Sequence, residues 1–165
     1  MQQPEPWLRG PIEGIEPLVT PVFFSFAQVR EDLTRYVTGL SGEQIWRKTA
    51  SGSIGFHLQH LAGSADRLTT YVMGEQLSPE QLRVLKTESE GDAGAAALLT
   101  FVDNTLRDCE ARLRTINPKS LYDDRTVGRK ALPTTVLGLI VHLAEHTQRH
   151  LGQVITLAKA VQSPA

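Results

Sequence analysis

Apolar side chains recur at threes and fours along most of this chain, the spacing that gathers them on one side of an α-helix. Val22, Phe26, Val29, Leu33, Tyr36 and Val37 trace a first stripe and predict a helix over residues 22–38, with Gly39 as its stop. Ile54, Leu58, Leu61, Ala65, Leu68 and Val72 trace a second over residues 53–73, ended by Gly74. Leu99, Val102, Leu106, Cys109 and Leu113 trace a third over residues 95–116, where Asn117 and Pro118 stop propagation. Val136, Ile140, Leu143, Thr147, Val154 and Leu157 trace a fourth, capped by Thr134 or Thr135 and reaching about residue 161.

Shorter signals fill the gaps. Ser41, followed by Gln44, reads as a capped turn of helix. Ser78, Pro79 and Glu80 supply a cap, a first-turn proline and an acidic start for a minor helix through Leu85. Residues 88–94 form a polar connection, and residues 119–133 have no helical period. Within the latter, residues 126–132 suit an extended loop or a small hairpin. Residues 1–21 hold five of the nine prolines, which predicts an extended lead-in that Trp7, Leu8 and Ile12 are placed to pin down. Four long amphipathic helices, with one long irregular connection between the third and fourth, predict an all-α four-helix bundle in a single domain over residues 22–165.

Composition narrows the function. A chain of 165 residues suits one core. Its net charge of −1 and scattered basic residues give no electrostatic footprint for nucleic acid or an anionic membrane. The single cysteine, Cys109, lies on an apolar stripe and reads as a small core residue. It excludes an internal disulfide and any zinc site built from several thiolates. Apolar runs are too short to span a bilayer, and the first six residues lack the basic start and apolar run of a signal peptide. A cytoplasmic location is therefore expected. Arg125, Arg129 and Lys130 read as a solvated basic loop, Trp7 and Trp46 as packing anchors, and Gly152 as a site of close helix packing.

The histidines carry the chemistry. All five fall in two segments, His57 with His60 and His142 with His146 and His150. Spacings of three and four put each group on one side of its helix, so two facing helices can converge three imidazoles on one cation. His146 and His150 lie at the edge of the fourth stripe, and His142 points further off it. On the second helix, phase places His57 nearer the middle of the apolar face, while His60 fits a site at the bundle's open edge. Periodicity does not choose between them. The plainer reading is that each is a hydrogen-bonded core histidine. The string from His142 to His146 also matches the H-x-x-E-H pattern of inverted zinc peptidases, but that chemistry needs a downstream carboxylate ligand and none follows Glu145.

Residues 53–67, with His60 directly before a Leu-Ala pair, and residues 141–153, with His146, His150, Gly152 and Gln153, resemble the second and fourth helices of the DinB-like family. The resemblance covers most of the chain beyond the lead-in. It implies a four-helix bundle, a homodimer, and a divalent transition metal (Zn, Ni or Fe) held by one histidine of the second helix and two of the fourth. Those positions are His60, His146 and His150. Three nitrogen donors leave a coordination position open, the layout of a catalytic site. Relatives resemble S-transferases of low-molecular-weight thiols, or hydrolases, so the resemblance implies a metal-dependent enzyme with a small-molecule substrate. The alternative is a non-catalytic, stress-related protein whose metal braces the bundle. No residue is a compelling general base: Glu145 points about 100° away from His146 on an ideal helix. Asp66 and Arg67 lie about two turns beyond His60, and Gln153 reads as a surface residue.

Overall fold

The computed structural model describes residues 3–162. Helix α1 (Thr20–Val37) begins ahead of its apolar stripe because Pro21 falls in the first turn, where a missing N–H costs nothing. Helix α2 (Gly42–Trp46) is fixed by a full capping box between Ser41 and Gln44. Helix α3 (Ile54–Val72) starts where the Ser53 hydroxyl accepts from the Phe56 N–H. Ser78 and Gln81 repeat the capping box for helix α4 (Pro79–Thr87). Helix α5 (Ala95–Leu113) and the 27-residue helix α6 (Val136–Gln162), about 40 Å long, complete the set. The Thr135 hydroxyl accepts from the Gly138 N–H, so Thr135 supplies the cap of α6.

Four of these helices form the expected all-α bundle. α6 packs against both α1 and α3, α5 packs on α3, and a lighter contact between α1 and α5 closes the ring. Phe26, Leu33, Leu58, Leu61, Leu106, Ile140 and Leu143 are fully buried between them. Each such side chain contributes about 1.5–3 kcal/mol of transfer free energy. No helix among the described residues is long and apolar enough to cross a membrane.

The long connection between α5 and α6 resolves into a short 3₁₀ turn (Pro118–Ser120) and a hairpin. Strands β1 (Asp124–Val127) and β2 (Leu132–Thr135) pair antiparallel, with Asp124 opposite Thr135 and Val127 opposite Leu132. Buried Leu121 roots this connection, and Arg125 Nε donates to the Val72 carbonyl at 3.0 Å. Arg125 therefore ties the hairpin to the end of α3 and is not simply solvated, whereas Arg129 and Lys130 are exposed.

Three packing expectations meet different outcomes. Trp46 is an anchor: its ring lies against the first turn of α3, where a Cβ on Gly55 would come within 2.7 Å of it, and its indole N–H donates to the Ala93 carbonyl. Trp7 is not an anchor. It is 61% exposed, and its indole N–H is spent on neighbouring Glu5. The lead-in is instead held by buried Pro6, by Ile12 and Ile15 against the core, and by a two-pronged Arg9–Glu31 pair. Gly152 mediates no close packing either, since it is exposed with open space where a Cβ would stand.

Candidate metal centre

The edge where α3 meets α6 gathers the histidines. The His60 ring centroid lies 5.2 Å from that of His146 and 4.5 Å from that of His150, and the latter two are 4.6 Å apart. One nitrogen from each of these three half-buried residues lies within 4.8 Å of the others. Phe56 stacks on His60 at 5.5 Å and walls one side. His57 extends the row beyond His150, and His142 extends it beyond His146.

Hydrogen bonds around the cluster fix which nitrogen each ring offers. His57 Nε2 lies 2.7 Å from the Ser51 carbonyl, which can only accept, so Nε2 carries the proton. His57 Nδ1 is then the acceptor for His150 Nδ1, 2.9 Å away. That leaves the His150 Nε2 lone pair free. The Ser64 hydroxyl donates to the Leu61 carbonyl at 3.1 Å, so it accepts from His146 Nδ1 at 3.2 Å. That leaves the His146 Nε2 lone pair free too. His60 Nδ1 donates to Glu88 Oε2 at 2.8 Å, so the neutral ring carries its lone pair on Nε2. Each Nδ1–H is thus satisfied by an acceptor outside the three rings, and each ring in its neutral form keeps one unprotonated nitrogen. Ligating histidines need this second layer of bonds.

Residues 25–154, which include all five histidines, match the family model of the DinB superfamily. The chain belongs to the DinB superfamily. No curated protein matches it. In this DinB chain the donor set fits a divalent transition metal: three imidazoles, each hydrogen-bonded through Nδ1, with no carboxylate among them.

Electrostatics favours neutral rings at His146 and His150, as a metal requires. Burial, then the proximity of His60, holds the His150 imidazole down to about 3. The same two causes hold His146 down to about 4. Burial lowers His57 as well, against an opposing pull from its bond to the Ser51 carbonyl. Cys109 is buried on α5, and burial pushes its thiol up to about 12, so it is a core residue without nucleophilic character.

The structure separates the five histidines by position and hydrogen bonding. It brings together His60, His146 and His150, leaves exposed His142 paired with Glu145, and buries His57 behind His150. Glu145 also holds Arg149, and Gln153 is exposed, as its sequence position suggests. Ser64, Ser51 and Glu88 escape sequence reasoning. Ser64 lies four residues after His60, on the same side of α3, and that spacing was a usable signal. Ser51 contributes only a backbone carbonyl, so its identity carries no signal. Glu88 sits in a stretch that reads as a polar connection, yet it is 3% exposed and bonded to both His60 and Arg67.

Proposed function

We propose that this DinB-superfamily protein binds one divalent transition metal through Nε2 of His60, His146 and His150. We further propose that it is a metal-dependent enzyme acting on a small molecule, as a low-molecular-weight-thiol S-transferase or a hydrolase. The observation that carries the reading is the set of three Nδ1 hydrogen bonds, which in neutral rings leaves three Nε2 lone pairs for one cation. A divalent ion held there supplies a Lewis acid able to make a water or a thiol acidic enough to react near neutral pH.

The chain's own residues divide the remaining work. Ser51 through His57, Ser64, and Glu88 hold the three rings in one protonation pattern. Phe56, stacked on His60, excludes water from that flank. Glu88 faces His60 Nδ1, on the far side of the ring from Nε2, so it does not join the same ion as a fourth ligand. A coordination position is left for substrate.

The second reading is a non-catalytic metal that braces α3 against α6. It is favoured by the commitment of both nearby carboxylates: Glu88 to His60 and Arg67, and Glu145 to His142 and Arg149. Neither is free to move a substrate proton.

Metal analysis of the purified protein, followed by thermal shifts with a panel of small thiols, separates the readings. The enzyme reading expects one metal per chain and a thiol that stabilises only the metal-loaded form. A metal-loaded protein indifferent to every thiol, and inert toward hydrolysable esters and amides, favours the brace.

A further inference from the structure

Glu88 comes from outside the helices that carry the histidines. It follows Thr87 at the C-terminal end of α4, and its carboxylate is buried against α3. Oε2 accepts from His60 Nδ1 at 2.8 Å, and Oε1 accepts from Arg67 Nη1 at 2.5 Å. Glycine at position 63 leaves the room on α3 that the carboxylate occupies in this placement. A Cβ there would overlap Glu88 Oε1 and stand 2.9 Å from Arg67 Nη1. Glycine is the poorest helix former after proline, so its place in mid-helix needs a packing reason, and the carboxylate supplies one.

We propose that Glu88 is a positioning residue for His60: held by Arg67 in the cradle opened by Gly63, it locks His60 in the Nδ1–H tautomer and raises the metal affinity of the three-histidine site. The inference rests on the metal-binding reading above. A purely structural Arg67–Glu88 pair would leave the second carboxylate oxygen without a task, whereas here it is aimed at the imidazole. The three rings also differ in kind of support. His146 is backed by a hydroxyl and His150 by another imidazole, while His60 alone is backed by a carboxylate. An anionic acceptor makes the opposite ring nitrogen a stronger donor to a cation.

The test combines long-range ¹H–¹⁵N imidazole spectra of the metal-free protein with Zn²⁺ titration against a competing chelator. Three variants are compared with the natural protein. Glu88→Gln keeps the shape, but its amide must turn an N–H toward either His60 or Arg67. Gly63→Ala improves helix propensity while forcing the Glu88 carboxylate and the Arg67 guanidinium to shift from this placement. The double variant Glu88→Ala/Arg67→Ala removes both partners, so no unpaired guanidinium is left buried to unfold the chain.

In the natural protein His60 is expected as the Nδ1–H tautomer. In all three variants that tautomer is lost or mixed, and Zn²⁺ binds about 10–100-fold more weakly with the helical fold intact. Unchanged affinity in folded variants, or an Nε2–H His60 in the natural protein, overturns the proposal. If the natural protein binds no Zn²⁺, the metal reading has failed separately. The metal-free tautomers then decide alone: an Nδ1–H His60 that depends on Glu88 sustains the positioning role, and one that does not depend on it ends it.

Discussion

His57 and His142 stand at opposite ends of one row of imidazoles, each beside a proposed ligand, and they differ in what their hydrogen bonds do. His57 is 4% exposed and is held between the Ser51 carbonyl and His150 Nδ1. Its protonation pattern therefore dictates that of its neighbour. His142 has a side chain 45% exposed and bonds Glu145 on the same helix, touching His146 only ring against ring. Water competes for that bond, and what reaches His146 from His142 is a charge effect rather than a bond to its Nδ1, which faces Ser64. Nearness to a ligand gives a histidine no role by itself; a buried bond to the ligand's second nitrogen does.

The contrast can be broken by mutation, and the ligands set the upper limit. His146→Ala removes one of three donors and is expected to abolish stoichiometric Zn²⁺ binding in a chelator competition; retained tight binding would show that the ion sits elsewhere. His57→Phe keeps a ring in place but removes the acceptor for His150 Nδ1–H. It is expected to weaken Zn²⁺ by about 10–100-fold, and wild-type affinity would reduce His57 to filler. His142→Ala lies at the other extreme and should cost at most about threefold, the scale of an exposed pair. Equal losses for His57→Phe and His142→Ala would erase the distinction drawn here.

Acid sharpens the same contrast without mutation. His150 and His146 are held down to about 3 and about 4 in the fold, chiefly by burial, against about 6.5 when free. Across that interval the unfolded chain takes up protons that the native, metal-free protein refuses. Stability of the metal-free fold is therefore full above about pH 6.5 and falls progressively as pH drops toward 4 and then 3. Denaturant unfolding followed against pH measures this. A flat profile from pH 7 to 4 in the metal-free protein contradicts half-buried, neutral rings at His146 and His150.

Much of this was legible in the sequence, for identifiable reasons. The four long helices were readable because their stripes repeat for many turns, and α6 was readable in detail. Its helical phase alone sets His142 apart from His146 and His150, which is how the structure arranges them. On α3 the phase argument met its limit. It favoured His57 as the inward residue, and His57 is the more deeply buried of the pair. Yet the inward ring is consumed by the carbonyl of Ser51, and the edge ring, His60, faces α6. Periodicity reports depth, and the cluster lies at an edge. Glu88 was illegible for a related reason. Polar runs read as solvated connections, and only the packing of α4 and the absence of a side chain at Gly63 bury this one carboxylate. Trp7 and Gly152 failed in the opposite direction, since a large apolar ring and a helical glycine suggest packing that the tertiary structure does not provide.

Anomalous diffraction from zinc-loaded crystals, recorded on both sides of the zinc edge, addresses the convergence of the three lone pairs most directly. The expected result is one anomalous peak per chain, bonded by Nε2 of His60, His146 and His150, with all three Nδ1 atoms still facing Glu88, Ser64 and His57. A peak ligated by His57 or His142, bonding through Nδ1, or no ordered zinc at this edge of the bundle would contradict it.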